Sequence, residues 1–277
     1  MLKPVFFART AAGLTHRRGT MRHRGDDVYK ELATFYDNSL RDRFSELMTV
    51  LTVRTLKEYT FVPPARVLDL GCGTGLLSLG LAEAGYQMTG MDASEHMLDI
   101  ARRRIERDEA KVELLEGDIR AFSVDEAFDA AVCTGDTVNH LLEHHELNGL
   151  FQSVYDALHP GGVFLFDTSN LVIYQSALWN CTDSVGEGPN YKMVCNARFD
   201  PRTNVGRLAL QVEEETTMTV RKLSGAIRQR YWTDQQLTSA LQATGFQVQS
   251  ARTYHPFDAP EQYPWLEGGK TLWVATR

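Results

Sequence analysis

The stretch RVLDLGCGTG, residues 66–75, decides the fold of this chain. It starts as a short apolar run and closes on three glycines, Gly71, Gly73 and Gly75. Glycine lets a chain turn sharply, and it lets a ligand approach the backbone where a Cβ would intrude. Because an apolar helical pattern resumes at Leu76, the stretch predicts a strand, a glycine loop and a helix in that order.

Strands and helices keep alternating after this loop. Apolar runs predict strands at residues 87–91, 111–115, 128–133 and 163–166. The predicted helices are 76–84, 94–107 and 150–158, and the last part of the chain adds a helix at 233–243 and strands at 246–253 and 271–276. Strands that alternate with helices of this length predict βαβ units and a parallel sheet.

The segment 171–232 breaks this rhythm. Apolar residues there recur at every second position, as in Met193, Cys195 and Ala197, which is the period of a strand with one buried face. We therefore predict an antiparallel β insert. The predicted organisation is a basic tail (1–25), a helical cap (26–60), a core (61–170 and 233–277) and the insert (171–232).

The charge balance bears on the kind of partner. The chain has 29 Lys and Arg against 36 Asp and Glu, a net charge of −7 at pH 7. Proteins that bind nucleic acid usually carry a basic surface for the phosphates, so this acidity disfavours such a partner. No apolar run is long enough to span a membrane, and a cytoplasmic location is expected. The four cysteines form no CxxC pair, so no structural metal is expected.

Residues 1–25 carry six Lys or Arg and no acidic residue. Such a segment is compatible with an organellar transit peptide, with a poorly ordered tail, or with an overcalled start that has Met21 as the initiator. It contains no serine, a residue in which transit peptides are rich, so a tail or an overcalled start is the favoured interpretation.

The residues around the glycine loop exclude two common ligands. A dinucleotide-binding loop has Gly-x-Gly-x-x-Gly or Ala, but Leu76 or Ser78 stands at the last position here. The lysine of a nucleoside-triphosphate loop is also missing. Asp69, just before the glycines, would repel a pyrophosphate and attract a cation.

Further acidic residues follow the next two predicted strands. Asp92 ends the second strand, where an acidic residue of nucleotide-binding folds accepts the ribose hydroxyls. Asp118 follows the third strand and can accept a hydrogen bond from an exocyclic amine, while Ile119 and Met97 can pack against the two faces of a purine. These groups together predict a cationic, phosphate-free adenosine compound as the ligand.

Three motifs in this order resemble those of class I S-adenosylmethionine-dependent methyltransferases. They are DLGCGTG (69–75), GMDAS (90–94) with Met97, and GDIR (117–120). The resemblance implies an α/β fold, with a Rossmann-like, doubly wound, mostly parallel seven-stranded sheet and an antiparallel insert after the fifth strand. It also implies S-adenosyl-L-methionine as the cofactor, contacted by Tyr29, Asp69, Gly71, Cys72, Gly73, Gly75, Asp92, Ala93, Met97, Asp118, Ile119 and Thr134.

The segment after the fourth strand indicates which class of molecule accepts the methyl group. Residues 133–141, CTGDTVNHL, lack the Asn/Asp-Pro-Pro-aromatic motif of adenine and glutamine amino-methyltransferases. They are similar to the small-molecule branch, which includes glycine and sugar-amine N-methyltransferases. Residues 29–37, YKELATFYD, resemble the helix that closes aromatic residues over the cofactor in that branch. The resemblance implies N- or O-methylation of a small molecule by direct displacement without a metal, and a homodimer is compatible with it.

His140 and Tyr36 are the candidate catalytic residues. An imidazole after the fourth strand is suited to remove a proton from an amine or hydroxyl, and the alternative is that His140 only caps or packs the next helix. Tyr29 and Tyr36 either cover the sulfonium or are core aromatics on one helix face. Asp167 and Asn170, at the end of the fifth strand, are weaker substrate candidates.

Two other functions remain open at this point. The three motifs indicate that the cofactor binds, but they do not show that its methyl group is transferred. They therefore also fit an S-adenosylmethionine-binding protein that has lost methyl transfer and serves as a partner subunit or a non-methylating catalyst. An RNA or protein methyltransferase shares the motifs as well, but the acidic charge and the missing Pro-Pro motif count against it.

Overall fold

Two β-sheets organise the part of the chain that the computed structural model describes, residues 41–188, 190–215, 219–254 and 268–277. The helical elements there are α1 (Arg41–Glu58), α2 (Leu76–Glu83), α3 (Glu95–Arg107), a 3₁₀ turn (Thr137–His140), α4 (His144–Ala157), α5 (Leu171–Gln175) and α6 (Asp234–Thr244). The strands are β1 (Arg66–Leu70), β2 (Gln87–Asp92), β3 (Val112–Glu116), β4 (Phe128–Cys133), β5 (Leu158–Ser169), β6 (Asn180–Gly188), β7 (Tyr191–Asp200), β8 (Val205–Glu215), β9 (Val220–Arg230), β10 (Gln247–Tyr254) and β11 (Lys270–Thr276). None of these helices combines the length and the apolar character needed to cross a membrane.

The first sheet has seven strands in the order β10-β11-β5-β4-β1-β2-β3. β1 pairs in parallel with both β2 and β4, and parallel pairing continues to β3 on one side and to β5 on the other. β11 and β10 close the sheet in antiparallel pairs. The order reverses between β1 and β4, and doubly wound sheets bind ligands at the carboxyl ends of strands at such a point. The predicted α/β fold with a mostly parallel seven-stranded sheet is confirmed.

The sheet has an apolar core on each face. Val67 packs on the same face as Leu81 of α2 and Met48 of α1, whereas its neighbour Leu68 packs on the opposite face with Phe151 of α4. Successive side chains of a strand point to opposite faces, so a continuous apolar run is the pattern of a strand that is buried on both. The apolar residues before the glycine loop therefore fix β1 at the centre of the sheet.

The structure differs from the sequence-based prediction in the segment after β5. The one-turn helix α5 was not predicted; it starts where the Asn170 side chain accepts from Val172 N at 3.0 Å. Asn170, a weaker substrate candidate, therefore acts as a helix cap here. The edge strand β6 was not predicted either, because its sequence NCTDSVGEG has few of the residues that favour strands. α4 begins at His144, earlier than predicted, because Glu143 and Glu146 form a capping box.

The second sheet consists of β6–β9 in chain order, and every neighbouring pair is antiparallel. Its last strand is joined to the segment that follows β4. Asn139 Nδ2 donates to Arg230 O at 2.8 Å, and Trp232 Nε1 donates to Leu141 O at 3.0 Å. Because Asn139 and Leu141 follow the carboxyl end of β4, the end of β9 meets the carboxyl edge of the large sheet.

A buried lysine joins three elements at this edge. Lys270 begins β11 and is 7% exposed; its ammonium pairs with Asp136, before the 3₁₀ turn, and with Asp167 of β5 at 3.3 Å. Tyr254 donates to Asp167 at 2.9 Å, and Ser169 donates to Asp136 at 2.7 Å. Burial raises the pKa of Asp167, and the charge of Lys270 opposes that rise. Asp167, the other weaker substrate candidate, is thus a buried member of an ion-pair network.

We expect Lys270→Met to lower the free energy of unfolding by about 3–5 kcal/mol, because removing one partner leaves buried carboxylates without their cation. Urea denaturation at neutral pH measures this loss. Lys222→Met is the control, since the Lys222–Glu213 pair at 2.8 Å is exposed and solvent screens its attraction, so its loss should change stability far less. Equal losses in the two variants would show that the buried pair does not hold this edge together.

Candidate functional site

The glycine loop is held by hydrogen bonds to β2. Gly71 N and Cys72 N both donate to Met91 O, at 2.8 and 3.0 Å. Gly71 has a φ of +69°, and a Cβ on it would lie 2.6 Å from Thr137 Cγ2. Only glycine therefore allows the loop after β1 to approach the 3₁₀ turn after β4 this closely. A Cβ on Gly73 would meet no atom of the described residues within 4 Å. The loop backbone at Gly73 is therefore open to the approach of a ligand.

Two other members of the loop have different roles. Gly75 precedes α2 with a φ of +80°, and a Cβ there would lie 3.0 Å from the Cβ of Ala101 in α3. Burial and the charges of Asp69 and Asp92 raise the pKa of Cys72 well above its ordinary value. Cys72 is therefore a buried thiol whose surroundings disfavour the nucleophilic thiolate form.

Asp92 ends β2 and links the loop to α3. Its Oδ2 accepts from Gly73 N at 2.9 Å, and its Oδ1 accepts from Ser94 N at 2.8 Å. Ser94 in turn caps α3 by accepting from Met97 N at 3.4 Å. Burial raises the pKa of Asp92, and these backbone donors oppose the shift. The two backbone N–H groups fix the plane of the Asp92 carboxylate. Because an ionised carboxylate has about four acceptor sites, Asp92 can still accept hydrogen bonds from hydroxyl groups.

Asp69 lies beneath the loop at the carboxyl end of β1. It is 2% exposed, and Ser78 Oγ donates to its Oδ2 at 2.6 Å. Burial raises the pKa of Asp69 to about 7; the Ser78 hydrogen bond opposes this rise, and the charge of Asp92 adds to it. A cation bound beside the loop would favour the ionised form. The charge of Asp69 would therefore respond to a cation bound at the loop.

Asp118 follows β3 and is held by Arg120, a contact that the sequence motif did not predict. Arg120 Nη2 donates to Asp118 Oδ2 at 2.6 Å, and Arg120 N donates to Asp118 Oδ1 at 2.9 Å. The same guanidinium donates to Glu146 of α4 at 2.9 Å. The Asp118 side chain keeps 43% of its surface exposed, so it is oriented and still accessible. Its predicted contact with an adenine amine stays a prediction.

The segment after β4 carries Thr134 and His140. Thr137 Oγ1 donates to Thr134 O at 2.8 Å, and Asp136 turns the chain with a φ of +66°. The 3₁₀ turn ends at His140, whose Nε2 lies 3.3 Å from Gln229 Nε2 of β9. His140 therefore meets a specific partner from the second sheet.

The structure places the predicted site residues that it describes at the carboxyl ends of β1, β2, β3 and β4. These residues are Asp69, Gly71, Cys72, Gly73, Gly75, Asp92, Ala93, Met97, Asp118, Ile119, Thr134 and His140. Tyr29 and Tyr36 lie outside the described residues. Sequence reasoning gave no role to Asp136, Tyr174, Gln229 or Lys270, which the fold brings to the same edge. Across the described ranges, no three His, Cys, Asp or Glu side chains come together as a metal site.

Comparison with known families identifies the central region. Residues 67–162 match the methyltransferase domain family. This region is a methyltransferase domain. It contains the glycine loop, Asp92, Asp118 and the 3₁₀ turn, so the resemblance of the three motifs to class I methyltransferases is confirmed.

Two curated relatives extend this finding. A Geobacillus protein named as a candidate methyltransferase is 31% identical over 160 residues, which are 56% of this chain and 65% of the relative. The glycine/sarcosine N-methyltransferase of Aphanothece halophytica is 30% identical over 156 residues, which are 53% of this chain and 58% of the relative. The chain spans less than two thirds of the length of these relatives.

Solved structures show the same fold along most of the chain. A S-adenosylmethionine-dependent methyltransferase from Clostridium acetobutylicum matches with a TM-score of 0.74 at 17% identity, over 90% of this chain and 98% of the other. An amino pentose methyltransferase from Micromonospora echinaspora matches with a TM-score of 0.65 at 22% identity, over 88% and 96%. At these identities the likeness establishes the fold.

We expect Asp69→Asn to change how the stability of the ligand-free methyltransferase domain depends on pH. With a folded pKa of about 7 against 3.8 for an ordinary Asp, the native state holds the proton more tightly, so ionisation of Asp69 lowers stability progressively as pH rises from about 4 to 7. Asparagine keeps an acceptor for Ser78 and cannot ionise. The variant should therefore gain stability relative to the parent over this range, at about 1.4 kcal/mol per pKa unit, and level off above it.

Urea denaturation at several pH values measures this effect. Asp99→Asn, which changes an exposed carboxylate paired with Arg102, is the control and should run parallel to the parent. A constant difference between Asp69→Asn and the parent across this range would contradict the raised pKa.

Proposed function

We propose that this chain is a methyltransferase that transfers the methyl group of S-adenosyl-L-methionine to an N or O atom of a small molecule. The observation that carries the proposal is Asp92, whose carboxylate is fixed by Gly73 and Ser94 at the carboxyl edge of the sheet. The methyltransferase domain at residues 67–162 covers the same residues. A carboxylate fixed beside an open glycine loop suits a ligand with a ribose and without phosphate.

The residues at this edge fit the cofactor. Asp92 would hold the ribose hydroxyls, Asp118 and Ile119 would contact the adenine, and the glycine loop would hold the methionyl part. Asp69 supplies a carboxyl group that ionises next to a cation. S-adenosyl-L-methionine supplies an electrophilic methyl group on a sulfonium that is already a good leaving group.

The protein then has to align the acceptor and exclude water, because a direct displacement needs its reacting atoms close and in line. His140, at the end of the 3₁₀ turn, is the side chain that we assign to the acceptor. Tyr36, with Tyr29, would cover the cofactor from the helix predicted before α1. A base at position 140 must present a nitrogen lone pair to the acceptor, so the protonation of His140 decides its role.

A small acceptor is supported by the position of the insert. The end of β9 contacts the segment after β4, where the acceptor would enter. The net charge of −7 disfavours a nucleic acid, and two of the similar proteins are named for small acceptors, glycine or sarcosine and an amino pentose. We propose that segment 171–232 selects the acceptor and that the protein acts in the cytoplasm.

A mass-spectrometric screen tests this function. The protein is incubated with S-adenosyl-L-methionine and pools of amine, hydroxyl and carboxyl metabolites, and the products are searched for the mass gain of one methyl group. The account expects one acceptor class to be methylated with stoichiometric release of S-adenosylhomocysteine. If the cofactor binds and no pool is methylated, the protein is the binding subunit or non-methylating catalyst that the motifs also allow.

We expect His140→Ala to lower kcat/KM for the acceptor about tenfold or more, since about 1.4 kcal/mol of lost contact is worth a factor of ten. Cofactor affinity should not change, because the acidic residues after β1, β2 and β3 hold the cofactor. His144→Ala is the control, because His144 is exposed at the start of α4. Steady-state kinetics measure both variants.

The size and form of the loss identify the role of His140. A loss of about 10²- to 10⁴-fold in kcat indicates proton transfer, whereas a smaller loss carried by KM indicates a hydrogen bond to the acceptor. Turnover equal to that of the parent would mean that His140 is part of the scaffold.

A further inference from the structure

A chain of three side chains reaches His140 from the segment after β5. Tyr174 of α5 donates its hydroxyl to Gln229 Oε1 at 3.4 Å, and Gln229 Nε2 lies 3.3 Å from His140 Nε2. Tyr174 is fully buried and Gln229 is 7% exposed. Buried polar groups of this kind are normally hydrogen-bonded, and the contact between Tyr174 and Gln229 gives each of these two side chains a partner.

Aromatic packing holds Tyr174 in place. Its ring stacks on Phe199 with a centroid distance of 5.2 Å, and it packs against Trp179 at 5.1 Å. Burial and the nearby charge of Asp136 raise the pKa of Tyr174 well above its ordinary value. The phenol therefore keeps its proton and needs an acceptor, which Gln229 Oε1 provides.

The direction of this first hydrogen bond sets the direction of the second. With its oxygen turned to Tyr174, the amide of Gln229 turns its NH₂ group to His140. An amide NH₂ can only donate, so the facing imidazole nitrogen must accept. In a neutral imidazole one nitrogen accepts and the other carries the proton, so a neutral His140 in this arrangement would carry its proton on Nδ1.

We propose that Gln229 is a positioning residue that, oriented by Tyr174, holds His140 with its proton on Nδ1. An acceptor molecule that reaches Nδ1 then meets a hydrogen-bond donor and not a lone pair. The acceptor class that fits this donor brings an oxygen or an unprotonated nitrogen with a lone pair next to the methylated atom. This inference rests on the proposed function for the meaning of the contact with the acceptor, but the position of the proton can be measured without an acceptor.

A general-base role would require the opposite arrangement. Gln229 would have to turn its oxygen to His140 Nε2–H, which would leave the Nδ1 lone pair for the acceptor and would turn the amide NH₂ to Tyr174. The buried phenol proton of Tyr174 would then lose the acceptor that it has in the structure. The Tyr174–Gln229 pair therefore selects between two roles of one histidine.

Two-bond proton–nitrogen NMR spectra distinguish the two neutral tautomers directly. The sample is the full chain labelled with ¹⁵N and saturated with S-adenosylhomocysteine, at about pH 8, above the ordinary titration range of imidazole. His140→Gln identifies the signals of His140 among the eight histidines. The expected result is a protonated Nδ1 and an unprotonated Nε2 on His140.

Gln229→Glu is the decisive variant, because a carboxylate can only accept and draws a proton to His140 Nε2. We expect the Nε2 signal to change from the unprotonated to the protonated type. Tyr174→Phe is the second variant; without the phenol the amide is free to turn, and the His140 signals should move to averaged positions. Parent spectra with the proton on Nε2, or variants with the parent pattern, would overturn the proposal.

The chain offers a matched control on its surface. Gln236 Nε2 lies 3.4 Å from Nε2 of the exposed His144, and Gln236 Oε1 accepts from Thr233 N at 3.0 Å. Gln236→Glu should change the signals of His144 and leave those of His140 as they are. Stabilisation by S-adenosylhomocysteine is recorded for each variant, so a failure of the cofactor site is distinguished from a wrong tautomer.

Discussion

The two hydrogen bonds of the Asp92 carboxylate are the constraint on which the site depends. One oxygen holds Gly73 N of the loop after β1, and the other holds Ser94 N at the start of α3. β1 and β2 are parallel neighbours in register, so their carboxyl ends lie side by side and one short side chain can join the segments that follow them. Loop, strand and helix are thereby fixed by contacts within the protein itself, and such preorganisation reduces the cost of binding.

The electrostatics of this edge favour a cation that carries no phosphate. Asp69 and Asp92 lie close enough that the charge of Asp92 raises the pKa of Asp69, and a positive ligand would relieve that repulsion. The carboxyl ends of β4 and β5 are different, since Lys270 compensates Asp136 and Asp167 there. One part of the edge thus presents carboxyl groups to the cofactor, while the other contains a buried cation that holds the segment leading to His140.

Local patterns made much of this site predictable. The glycines after β1, the cap at Ser94 and the acidic residues after β2 and β3 are sequence-local features, and they lie where the alternation of strands and helices predicts. The same reasoning missed α5, which is a single turn, and β6, which has few strand-favouring residues. It also missed the contact of Arg120 with Asp118. It could not find the contact of His140 with Gln229, because those residues are 89 positions apart and meet only through the fold. The contacts of Tyr29 and Tyr36 stay predictions.

Calorimetric titration with S-adenosylhomocysteine tests most directly whether Asp92 holds the ribose. Asp92→Ala should weaken binding roughly 30- to 150-fold, or about 2–3 kcal/mol, because it removes a charged acceptor from two hydroxyls. Asp129→Ala is the matched control, since Asp129 accepts from Arg66 N at 2.8 Å at the amino end of β1. This control should keep the affinity of the parent. Unchanged affinity in Asp92→Ala, with the variant folded, would contradict the account.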